Sequence, residues 1–198
     1  MKNPILLIVI VLTIVSCKNE KSSSEEQKHN HNNGPEKAEE PKKKPLSPHT
    51  ETMAMIGDAH IHIDYSSPGV RDRIIFGGLV GYDQVWQAGA HMATWLETNK
   101  DLVIDGKALP AGKYGFFTIP SKDEWTVMIN KNWDQHGKDE YDEKDDVIRF
   151  KVKPITLEES IEHLEYKVNK IDEESGIISM AWEKVKIKFP FAIKIRKW

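Results

Sequence analysis

Apolar and polar residues alternate strictly from Asp58 to Tyr65: Ala59, Ile61, Ile63 and Tyr65 interleave with His60, His62 and Asp64. A period of two predicts a half-buried strand. Residues 102–105 run into Gly106 and Lys107, which predicts a hairpin turn. Leu109-Pro110-Ala111-Gly112 reads as a second turn, with a strand over 113–119. Residues 120–123 carry polar turn chemistry, and 125–130 are β-rich again. Clean alternation returns over 147–153 and 164–168. Residues 177–195 hold one or two more strands, with Lys184, Lys186 and Lys188 opposite Val185, Ile187 and Phe189. Those lysines fit a solvated face that discourages edge pairing. Short helical turns fit over 82–94 and 156–161. The expectation is an all-β, single sandwich or barrel-like domain over 47–198.

The N-terminal part breaks this pattern. Met1-Lys2-Asn3 is followed by an apolar run over 5–12, continued by Ile14 and Val15. That is the layout of a signal peptide over 1–16, shorter than the roughly 20 residues of a membrane span. Thr13-Ile14-Val15-Ser16-Cys17 resembles a bacterial lipobox, after which Cys17 receives its acyl chains. Several chains anchor stably where one binds marginally, so the lipid bilayer is an expected partner. Lys18, not Asp, follows the Cys, which resembles sorting to the outer membrane. From Lys18 to Pro48 the apolar residues are Ala38 and Leu46 alone. Such a stretch cannot offset its chain entropy by burial, so a disordered tether is expected over 17–46. His29 and His31 read as polar filler within it.

Composition narrows the classes. The 198 residues carry 28 basic and 31 acidic side chains, a net charge of −3, so no nucleic-acid partner is expected. The single Cys excludes an internal disulfide framework and any Cys-based zinc finger.

His60 and His62 are the leading chemistry. Residues two apart on a strand share a face at a spacing of about 7 Å. Two imidazoles so placed can converge on one ion, and a third ligand must come from elsewhere. His91 follows the small pair Gly89-Ala90, His136 sits in a polar turn, and His49 lies just ahead of the first strand. Asp58 and Asp64 share the His face as ligands or as acceptors behind them. Imidazole-rich sites suit Zn, Cu, Ni or Fe, of which Cu or Zn is the expected ion, and a three-His site leaves one position open. Trp86, Trp95 and Trp133 flank these His in sequence, as core or as the wall of a ligand pocket. The acidic run 139–146 lacks calcium-loop spacing and reads as a solvated loop. Gly77-Gly78-Leu79-Val80-Gly81 misses the phosphate-loop pattern and reads as tight turns.

Several longer pieces occur together and in order: Tyr65-Ser-Ser-Pro-Gly-Val-Arg71, residues 75–80, residues 85–94, Leu109-Pro-Ala-Gly-Lys-Tyr-Gly-Phe-Phe-Thr-Ile-Pro120 and residues 123–131. With them the chain resembles, from about residue 47 to 191, the bacterial exported lipoprotein family catalogued as domain of unknown function 2911. The resemblance implies export, frequent lipidation and a β-rich domain, and no particular activity. In that family the position of His91 is often Asn and the region of Gln135 and His136 often carries Trp, so this chain departs toward His at both places.

Three functions follow as expectations. The first is an envelope lipoprotein binding Cu or Zn through His60, His62 and His91, with His136 or His49 completing the shell. The second is a metal-free glycan- or protein-binding module. The third is a metal-dependent enzyme, whose open coordination position activates water or dioxygen.

Overall fold

The computed structural model describes residues 45–194. The readings of a signal peptide over 1–16, lipidation at Cys17, and the tether as far as residue 44 lie outside the described residues.

Among the described residues ten strands follow in chain order: β1 (His49–Ile56), β2 (Ala59–Ser66), β3 (Trp95–Thr98), β4 (Leu102–Ile104), β5 (Lys107–Leu109), β6 (Gly112–Ile119), β7 (Trp125–Asn130), β8 (Asp146–Val152), β9 (Ile155–Lys170) and β10 (Ser175–Ile193). They form a six-stranded sheet in the order β1-β2-β3-β6-β7-β8 and a four-stranded sheet in the order β5-β4-β10-β9. Every ladder between these strands is antiparallel. The all-β expectation holds.

The two sheets close on one apolar core. Ile61, Ile63, Leu96, Phe116, Val127 and Ile148 from the larger sheet meet Ile104, Leu164, Ile178, Met180, Trp182 and Ile187 from the smaller. Burying each such side chain contributes about 1.5–3 kcal/mol. Trp86 stacks on Trp182 at 5.8 Å, and Phe76 meets Trp125 edge-on at 4.8 Å. Lys184 and Lys188 are exposed while Ile187 and Phe189 are buried, as their alternation predicts.

The hairpins rest on backbone freedom. Asp105 and Gly106 both have positive φ, 51° and 71°, as a two-residue primed turn requires. Gly57 has φ +54°, and a Cβ there would lie 2.4 Å from the Glu173 carbonyl oxygen. Gly57 and Asp58 thus turn the chain from β1 into β2 under the loop joining β9 to β10.

Three expectations need correction. Residues 156–161 are strand, not a helical turn: they belong to the 16-residue β9, whose backbone is drawn out by pairing with β10. Residues 82–94 hold turns and isolated bridges, and the described helical turn is a 3-10 one at Glu143–Asp145, capped by the Asp142 carboxylate. His49 is not ahead of the first strand but inside it, in β1. The C-terminal stretch is one strand of 19 residues, with register shifts about Glu183 (φ +54°) bending it.

Candidate metal centre

The first hairpin carries its chemistry on the face turned away from the core. On β2 the inward side chains Ala59, Ile61, Ile63 and Tyr65 are buried, which leaves His60, His62 and Asp64 outward and half-buried. On β1 the outward series is His49, Glu51, Met53 and Met55, all exposed. The register sets Glu51 opposite Asp64, Met53 opposite His62, and Met55 opposite His60. Directly opposed residues bring their Cβ atoms within about 5 Å, so both series act as one surface.

Two contacts hold this surface. His62 Nε2 lies 2.9 Å from Glu51 Oε2, and His49 Nε2 lies 3.0 Å from Asp64 Oδ2. Glu51, His62 and Asp64 each offer a ligand atom, all within 4.8 Å of one another. Atoms bound to one ion at about 2.0–2.2 Å lie no more than about 4.4 Å apart, so modest rotamer changes complete a site. One nitrogen and two carboxylate oxygens suit a divalent first-row metal, and His49 adjoins the group through its contact with Asp64.

The surroundings orient His62. Trp95, from β3, packs against its ring in a T-shaped arrangement at a centroid distance of 4.8 Å. Lys113 of β6 places its ammonium 3.5 Å from the Trp95 ring centroid and 3.7 Å from that of Trp133. The two indoles therefore hold the nearby positive charge against their π faces. His49, Asp64, Met92, Trp95 and Trp133 line a shallow cleft of about 190 Å³ beside the hairpin.

Trp133 is positioned by an anchored loop. Asn130 Oδ1 accepts from the Asn132 amide (2.8 Å), and Asn130 Nδ2 donates to Asp146 Oδ1 (2.9 Å). Asp146 Oδ2 accepts from the Tyr141 hydroxyl (2.9 Å) and from Arg149 Nε (3.0 Å). Burial, opposed by the Arg149 hydrogen bond and reinforced by Asp146, pushes the Tyr141 hydroxyl up to about 12. Part of the acidic run is thus structural: Asp142 caps the 3-10 turn and Asp146 ties the loop to β8.

The five predicted His ligands do not stand together. His62 lies in the close group and His49 is joined to it through Asp64. His60 is adjacent, its ring centroid 5.9 Å from that of His62, and its backbone N–H donates to Asn99 Oδ1. His91 and His136 lie outside the group: the His91 carbonyl accepts from the Gly137 amide, and His136 faces Asp139 at 3.5 Å. Asp58, at the hairpin turn, pairs with Lys100 instead. Glu51 was not anticipated. Its sequence signal is the Gly57-Asp58 turn, from which the alternation runs backward through Met55, Met53 and Glu51.

Of the aromatics, Trp86 is core. It also lines, with Trp182, His91 and Lys138, a cavity of about 380 Å³ away from the hairpin. Gly77, at φ +87°, makes a tight turn, as its sequence context suggested.

A family model described as "Protein of unknown function (DUF2911)" matches residues 47–191. No curated protein and no solved structure matches the chain.

Proposed function

The chain belongs to the DUF2911 family, and from that premise we propose an envelope lipoprotein whose β-sandwich binds a transition-metal ion on its first hairpin. The observation that carries the reading is the Glu51–His62–Asp64 group, with ligand atoms within 4.8 Å of one another. Zn(II) and Cu(II) accept such a mixed nitrogen and oxygen set. Both imidazole contacts to carboxylates can pass to an ion, which takes the place of the bridging proton. The group lies on an open sheet face beside a shallow cleft, which favours binding and handling of metal over chemistry in a closed pocket. Cys17 supplies the lipid anchor in this reading, the following segment the tether, and the outer membrane the location.

The test uses the full chain without a polyhistidine tag. After loading with Zn(II), metal content by elemental mass spectrometry is expected to approach one Zn per chain, and to fall away in His62→Ala/Asp64→Asn. A parent that takes up no Zn(II) refutes the reading, as does a variant that keeps its Zn(II). Replacing Cys17 by Ala is expected to move the protein from the membrane to the soluble fraction.

A second reading, metal-free binding of a small molecule, has one observation in its favour. Trp182 Nε1 is buried without a hydrogen-bond partner, and Trp182 lines the 380 Å³ cavity.

A further inference from the structure

The same hairpin face carries a second donor set of different character. Met53 and Met55 occupy consecutive outward positions on β1 and are 49% and 55% exposed. The register places them opposite His62 and His60. Apart from its thioethers this is a poor place for methionine, because an outward sheet face in water is ordinarily filled by polar side chains. The His60 ring makes no hydrogen bond or ion pair among the described residues, so its nitrogen is free to coordinate. Two thioethers and one imidazole are soft donors, and soft donors select Cu(I) over Zn(II).

We infer that Met53, Met55 and His60 form a site for a cuprous ion, beside the harder Glu51–His62–Asp64 set. The inference rests on the reading of the hairpin as a metal-binding face, but its donors are other residues. The hairpin then presents soft ligands toward its turn and hard ligands toward its open end. Antiparallel register orders the donors: Met55 faces His60 next to the turn, Met53 faces His62 at the middle of the ladder, and Glu51 faces Asp64 toward its open end.

The experiment titrates the full chain, untagged and anaerobic, with Cu(I) against a chromogenic Cu(I) chelator, and in parallel with Zn(II) against a zinc indicator. The Met53→Leu/Met55→Leu variant keeps volume and apolar character, so the fold is retained, and its circular dichroism is compared with the parent. It is expected to bind Cu(I) about tenfold or more weakly with Zn(II) uptake unchanged. The Asp64→Asn variant is expected to show the reverse. X-ray absorption of the Cu(I)-loaded parent is expected to show copper–sulfur scattering. Loss of Cu(I) affinity in the Leu variant supports the soft site even if Zn(II) is never taken up, a result that overturns only the hard one. A parent that cannot compete for Cu(I), or a Leu variant that binds it as tightly as the parent, overturns the inference.

Discussion

Replacing Asp146 by Ala removes the acceptor through which the loop carrying Trp133 is tied to the larger sheet. Its side chain is 7% exposed and accepts three hydrogen bonds, from Asn130, Tyr141 and Arg149. Arg149 is 33% exposed and also pairs with Glu143, so its share is discounted toward the exposed-pair range of about 0–1 kcal/mol. The Asn130 and Tyr141 bonds to a charged acceptor contribute about 1.5–3 kcal/mol each. A loss of about 3–5 kcal/mol is expected, the range for breaking a buried pair from one side. For a domain of this size that lowers Tm by roughly 6–20 °C. Urea unfolding followed by Trp fluorescence measures it, and Asp146→Asn, which keeps one acceptor oxygen, should fall between variant and parent. A pH titration gives an independent readout. Folded Tyr141 holds its proton to about pH 12, above its ordinary value of 10, so the folded state binds more protons than the unfolded between those limits. Its contribution to stability is therefore complete below pH 10 and lost as pH rises through 12. Without Asp146 the neighbouring Arg149 acts unopposed by that carboxylate, and phenolate absorbance should appear at lower pH. A destabilisation under about 1 kcal/mol with an unchanged phenolate titration would show that Asp146 does not hold the loop, because it is what a solvated surface pair gives.

Two further outcomes test the packing. Tyr166→Phe deletes a buried hydroxyl that donates to the Ala88 carbonyl at 2.7 Å; because Thr94 Oγ1 still donates to that oxygen at 3.0 Å, thermal unfolding should register about 1 kcal/mol rather than a full unsatisfied-acceptor cost. Gly106→Ala places its Cβ in open space at φ +71° and should cost only the left-handed strain of roughly 1–2 kcal/mol, whereas Gly57→Ala drives its Cβ against the Glu173 carbonyl and should cost more in the same denaturation assay; equal losses would contradict this account.

Much of the sandwich was written locally. Alternation at 59–65, 147–153 and 164–168 marked strands because each residue's face is set by its own position on a pleated backbone. The same logic put His60 and His62 on one outward face without reference to any other part of the chain. A hairpin turn at Gly106 was legible from the glycine, but the turn falls on Asp105 and Gly106, one residue earlier than the Gly106 and Lys107 pair read from the sequence, because Asp105 and Gly106 both take positive φ. What local pattern could not supply was partnership. That Glu51 meets His62 and Asp64 depends on the cross-strand register of β1 and β2, and a one-residue slip would have turned the whole series inward. The strand character of 156–161 came from pairing with β10, which overrides weak local preference. Likewise, His91 and His136 were candidates by residue type, but their loops place them outside the close group. The bracket of Trp95 and Trp133 around Lys113 joins two strands to a distant loop. Local sequence determined which side chains could face outward; tertiary register decided which of them stand close enough to bind one ion, because coordination acts over a few ångströms and the chain brings such neighbours together only when folded.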